Sequence, residues 1–141
     1  APQHGPFAVL GLQYPREAII RSLPGTAFFD VMQPRSLWHP NITPPGQLPT
    51  PRLCLGTEVP AGIRCADLVV MAYSALCMQD VQMDEFDSAG VLNIAAARWW
   101  QHNAQHLPLS SRPFLLPDEQ RASDPTTNSP NMPPRVFRDK D

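Results

Sequence analysis

The stretch LWHPNITPPGQLPTPRLCLG, residues 37–56, sets the problem posed by this chain of 141 residues. A His-Pro-Asn triplet at positions 39–41 leads into a run thick with proline, which ends in one cysteine, Cys54, followed by Leu55 and Gly56. Proline locks φ and removes a backbone donor. With prolines at 34, 40, 44, 45, 49, 51 and 60, no long helix survives here, and the segment is an ordered loop only if it packs on the core. A free cysteine is most often a small apolar side chain in a packed site. A thiol that ends a Pro/Gly loop, outside helix or strand, is instead expected to be accessible and available as a nucleophile.

The triplet reads in two ways. As turn chemistry, His39 and Asn41 hydrogen-bond nearby backbone around Pro40. As a functional element, Asn41 places a neutral amide donor near Cys54, where it would stabilise the oxyanion formed when a nucleophile attacks an acylated thiol. His39 in reach of the sulfur would be a base. Because Pro40 restricts the residue before it, we read His39 as a structural clamp.

Outward from this stretch, 43% apolar and 17% charged residues describe a globular composition of a size for one core. A net charge of −2 gives no electrostatic reason for nucleic-acid or membrane binding. No apolar stretch has a spanning length, and none reads as a signal peptide. Cysteines at 54, 65 and 77 fit neither a disulfide framework nor a zinc pattern, so reduced thiols in a cytoplasmic protein are expected.

FAVLGLQYP (residues 7–15) and TAFFDVM (residues 26–32) are predicted strands, with REAIIRSL between them as a helical turn or a loop. IRCADLVVMAYSALCMQ (residues 63–79) is the clearest helix. Ile63, Ala66, Val70, Tyr73 and Cys77 follow a spacing of three to four, and apolar residues on most faces predict a largely buried central helix with Cys65 and Cys77 in the core. A second helix lies within residues 88–107, capped by Asn93 or Ser88 and stopped by Pro108, with at least one of Trp99 and Trp100 facing the core. His102 and His106 have metal-ligand spacing, but no carboxylate or cysteine joins them, so no metal and no cofactor is expected. Asp80, Asp84, Glu85 and Asp87 read as a solvated loop. Residues 117–141 are polar and proline-rich and read as a disordered tail behind a domain spanning 1–116.

In this order the features resemble the catalytic core of ubiquitin-conjugating enzymes: His39-Pro40-Asn41, then Cys54-Leu55, then a loop, then an apolar helix, preceded by Tyr14-Pro15 and LPGTAFFDVMQP. Cys54-Leu55-Gly56 and LNIAAARWWQHNAQHLPLSSR are similar to the bacterial branch, whose members sit beside a ubiquitin-like protein and an activating enzyme, several in antiphage defence. The resemblance implies an α+β fold with a small antiparallel sheet packed on a central helix. It implies that Cys54 accepts a ubiquitin-like protein as a thioester, delivered by an activating enzyme and passed to a target protein. Asn41 would support the active-site loop or the oxyanion, and His39 and Pro40 would be structural. The chain departs from the family pattern in three respects. Asn41 and Cys54 stand thirteen positions apart, a longer separation than the family's, so TPPGQLPTPR (residues 43–52) must loop out. The family's N-terminal helix and first strands have no counterpart, and the acid that assists the incoming lysine is not identified, Asp80, Asp84 and Asp87 being candidates. Two alternatives remain on the residues: a binding module of the same fold without turnover, and a cysteine hydrolase using Cys54 and His39.

Overall fold

The computed structural model describes residues 8–87 and 90–114. Three antiparallel strands form one sheet in chain order: β1 (Val9–Leu12), β2 (Phe29–Gln33) and β3 (Arg52–Leu53). Two helices follow, α1 (Cys65–Leu76) and α2 (Ile94–His102), with short 3-10 turns at Arg16–Ile19 and Ala104–His106. The architecture is α+β. The expected tail of residues 117–141 and the alternative cap Ser88 lie outside the described residues.

Period-two alternation sorts β2. Phe29 and Val31 point into the core, while Asp30 faces outward, accepts a hydrogen bond from Gln13 at 3.1 Å and lies 3.8 Å from Arg52 of β3. The register Phe29↔Leu53 places Leu53, fully buried, beside Phe29. These side chains join Phe28, Ile42 and Val59 in one cluster with Leu68, Ala72 and Ala75 of α1. β3 is the strand that sequence reading did not anticipate. It consists of two residues and exists through its pairing with β2.

The first helix buries one stripe, not most of its surface. Leu68, Ala72 and Ala75 are buried, whereas Val69 and Val70 are each 37% exposed. The expectation of Cys65 and Cys77 in the core is corrected accordingly: Cys65 is exposed and Cys77 half-buried. The cause is phase. With apolar residues all round, the 3.6-residue period has no contrast from which to read the inward face.

α1 ends in a two-bond closure. Met78 donates to the Ala75 carbonyl and Gln79 to that of Ser74, both at 2.9 Å, with Met78 at φ 57°. A non-glycine residue in this left-handed region carries a steric cost. Burial of the Met78 side chain to 3% exposure offsets it. Residues 109–114 then cross this helix end: Leu109 donates to the Cys77 carbonyl, Tyr73 and Gln79 donate to the carbonyl of Arg112, and Phe114 packs on Tyr73.

Asn93 caps α2 by accepting from the Ala96 amide at 3.0 Å, and Trp100 is buried. Trp99 stacks edge-on against both Trp100 and Trp38, so α2 is anchored to the segment that enters the triplet. Among the described residues no helix is long and apolar enough to cross a membrane.

Because Leu68 fills the contact between α1 and the sheet, Leu68→Ala is expected to cost about 2–5 kcal/mol of folding stability through lost burial and the cavity left behind. Urea denaturation measures it. A loss below about 1 kcal/mol would mean that α1 does not pack as described.

Candidate functional site

The proline-rich insert does loop out, and its base is closed by hydrogen bonds. Thr43 donates its amide to the Arg52 carbonyl at 3.0 Å, the Arg52 amide donates to Thr43 Oγ1 at 3.1 Å, and Ile42 bridges to Leu53. This pairing brings residues 41 and 54 face to face, and the Cys54 amide donates to the Asn41 carbonyl at 2.8 Å. Thirteen positions of separation thus become one backbone hydrogen bond. Asn41 and Cys54 line the same pocket, of about 250 Å³, together with Gly56, Met71, Asp80 and Gln82.

All three residues of the triplet are buried, and each has its polar groups committed. The Asn41 amide donates to His39 Nδ1 at 3.0 Å, which leaves the ring proton on Nε2, and Nε2–H donates to the Ala75 carbonyl at 2.7 Å. The ring thereby adds a second donor to a helix-end carbonyl that already accepts from the Met78 amide. Burial holds the His39 pKa down at about 4, the bond to Ala75 opposing this only in part, so the ring is neutral. Both nitrogens are occupied, so in this arrangement His39 has no lone pair left to accept a proton from Cys54. Pro40 is fully buried, and its carbonyl accepts from the amides of both Leu92 and Asn93, at 2.9 and 3.0 Å, which fixes the start of α2.

The Asn41 carboxamide holds the loop between the helices. Nδ2 donates to the carbonyls of Gln82 (2.9 Å) and Gly90 (2.8 Å), while Oδ1 accepts from the Gln82 amide at 3.1 Å. Of the two roles open to Asn41 in the sequence, this geometry is that of loop support: both amide protons already point at carbonyls.

The expectation of an exposed Cys54 is corrected. The residue is 3% exposed, and it lines the pocket together with Gln82 and Gly90, the two residues that the Asn41 carboxamide holds. The thiol donates to the Gly56 carbonyl at 3.3 Å. Burial pushes the thiol pKa up, contact with the Gly56 backbone pulls it down, and the negative charge of Asp87 pushes it up again. At neutral pH this group is a thiol.

A residue missed in the sequence reading sits against the backbone that follows Cys54. Gly25 donates to the Gly56 carbonyl at 3.1 Å, and its own carbonyl accepts from the Leu55 amide at 3.0 Å. A Cβ on Gly25 would fall 2.1 Å from the Gly56 oxygen, so only glycine permits this approach. The dipeptide Pro24-Gly25 signalled a turn, and nothing in it signalled what the turn touches. Of the acidic residues, Asp80 lines the pocket and Asp87 accepts from the Gln82 side chain, whereas Glu85 pairs with Arg98 on α2. The described residues contain no group of three or more candidate metal ligands, and His102 bonds to the Arg98 carbonyl.

No family model matches this chain, and comparison with curated proteins and with solved structures returned no match.

Two measurements check the triplet. An unfolded histidine takes up a proton near pH 6.5, and folded His39 only near 4. Between these values the unfolded state binds more protons. The contribution is therefore complete above 6.5 and falls by roughly 3 kcal/mol as pH drops through this window. Denaturation at a series of pH values should show this acid loss reduced in His39→Asn relative to wild type, and equal slopes would contradict a buried neutral ring. Asn41→Ala is expected to speed amide exchange at Gln82 at least tenfold while exchange in the sheet changes little, as read by NMR.

Proposed function

We propose that this chain carries a ubiquitin-like protein as a thioester on Cys54 and passes it to an amine on a target protein. The observation that supports this most is the hairpin that seats Cys54 against Asn41 on one pocket despite a separation of thirteen positions. Convergence of the two motif residues is what the resemblance to ubiquitin-conjugating enzymes requires. Thiols at Cys54, Cys65 and Cys77 suit a reducing, cytoplasmic setting.

In this reading, the Cys54 sulfur gives up its proton and attacks the carbonyl of a thioester on the activating enzyme. A C–S bond forms to Cys54 and the enzyme's thiolate departs, taking up a proton. The exchange is close to neutral in energy, so a poised thiolate is not needed. An amine then attacks the Cys54 thioester, the C–N bond forms, the C–S bond breaks, and the amine proton leaves for a base. Asp80, the carboxylate that lines the pocket, is the candidate to take it. A thiol with a raised pKa is a poorer leaving group, which protects the carried acyl group from water. His39 works in the same direction, since both ring nitrogens are occupied and neither can take a proton from water.

A second reading is a module of the same fold that binds a ubiquitin-like partner without turnover. The low exposure of Cys54 favours it. A hydrolase through His39 is disfavoured by the two occupied ring nitrogens.

Incubation with the activating enzyme, the ubiquitin-like protein and ATP separates these readings. The carrier forms an adduct that reductant removes on a gel, that is absent in Cys54→Ala, and that resists reductant in Cys54→Ser because the linkage becomes an oxygen ester. Binding with no adduct supports the module and overturns the carrier.

A further inference from the structure

Acyl transfer at Cys54 needs a hydrogen-bond donor for the reacting carbonyl oxygen, and Asn41 has none to offer. When an amine attacks a carbonyl held on the sulfur, the C–N bond forms and the π pair moves onto oxygen. When that oxyanion collapses, the C–S bond breaks, the sulfur keeps the bonding pair and takes up a proton, and the nitrogen loses one to a base. A donor aimed at the oxygen lowers the barrier to both halves. Both Nδ2 protons of Asn41 already go to carbonyls, at 2.9 and 2.8 Å.

Most other donors that line the pocket are committed as well. The amides of Asn41, Cys54 and Leu55 donate to His39, Asn41 and Gly25. Those of Met71 and Ala75 lie inside α1. Those of Asp80, Gln82 and Gly90 donate to Ser74, Asn41 and Asp87. Gln82 Nε2 is tied to Asp87 by one of its two protons. Two side chains that line the pocket have polar groups with no partner among the described residues: the Thr57 hydroxyl and the Asp80 carboxylate. Their chemistry divides them. A hydroxyl rotates to donate to an oxygen, whereas an ionised carboxylate only accepts and repels an oxyanion. The chain between the sulfur and Thr57 is also held. The Gly56 carbonyl receives the Cys54 thiol at 3.3 Å and the Gly25 amide at 3.1 Å, and Gly56 turns at φ 117°, a conformation that favours glycine.

We propose that the Thr57 hydroxyl is the oxyanion donor for an acyl group on Cys54, a role that the sequence pattern had offered to Asn41. Thr57 is exposed, so its hydroxyl reaches the carbonyl oxygen of an arriving acyl group without any opening of the core. Asp80 is left to take the proton of the incoming amine, and the two groups serve the two charges that the reaction develops. The biological use of this donor rests on the carrier reading of Cys54.

The test needs only the protein and a small thioester. S-phenyl thioacetate acetylates Cys54 and the exposed Cys65, with thiophenol as the leaving group. Hydroxylamine then discharges both, giving acetohydroxamate and free thiol, and peptide-resolved mass spectrometry follows each site. Cys65 is the internal reference, because it starts α1 and does not line the pocket. Thr57→Val, which keeps the shape and removes the hydroxyl, is expected to slow discharge of Cys54 relative to Cys65 by at least about tenfold. Thr57→Ser should restore the ratio to within about threefold of wild type, which a loss of packing alone would not do. Gln82→Ala should leave the ratio near wild type. An unchanged ratio in Thr57→Val, no rescue in Thr57→Ser, a loss in Gln82→Ala as large as that in Thr57→Val, or a Cys54 that the thioester never acetylates would each overturn the proposal. Neither the activating enzyme nor the ubiquitin-like protein takes part, so this inference and the carrier reading fail separately.

Discussion

A neutral imidazole shared between the Asn41 amide and the Ala75 carbonyl is the contact on which the other parts of this structure depend. A buried backbone donor or acceptor without a partner costs ~1–3 kcal/mol. The turn at residues 39–41 takes several such groups out of water at once. His39 satisfies the Asn41 amide with one ring nitrogen and ties the turn to the end of α1 with the other. Pro40 offers its carbonyl to the start of α2, and the carbonyl of Asn41 receives the Cys54 amide. Two helix ends, the short β3 extension, Gln82 and Gly90 therefore meet on three residues. Histidine serves here only while uncharged. A second ring proton would face the N–H of Asn41, and burial is what prevents its uptake.

The same convergence explains the condition of the thiol. Cys54 is gripped from both sides of its backbone, by Asn41 on one and by the Gly25 approach to Leu55 and Gly56 on the other. The sulfur is left facing a small pocket lined in part by Gln82 and Gly90, the residues that Asn41 holds. Enclosure and the nearby carboxylate both favour the protonated form. Such a thiol suits an acceptor that waits for an activated donor better than it suits a nucleophile that must find an inert substrate.

What could be read in the residues was local. His39-Pro40-Asn41 declared a rigid turn, Asn93 ahead of an alanine run declared a cap, and the prolines between 43 and 52 declared an excursion; each rule acts within a few positions. Burial was less legible. Cys54 ends a proline-rich loop and so read as open, but Gln82 and Gly90, which share its pocket, lie far downstream and are held by an asparagine whose hydrogen-bond partners no short motif encodes. On α1, Val69 and Val70 are as apolar as Leu68, so the inward face is chosen by fit to Phe29, Val31 and Leu53, a property of the tertiary structure. β3 could not be read at all, since two residues carry no period.

The carried acyl group is the central claim, and its covalent position is the most direct thing to measure. Intact-mass spectrometry of the chain, quenched in acid after exposure to the charged activating enzyme, should show a gain equal to the mass of the ubiquitin-like protein less one water. Fragmentation should place it on Cys54, and hydroxylamine at neutral pH should discharge it. No gain, or a hydroxylamine-resistant gain on a lysine with Cys54 unmodified, would contradict the account.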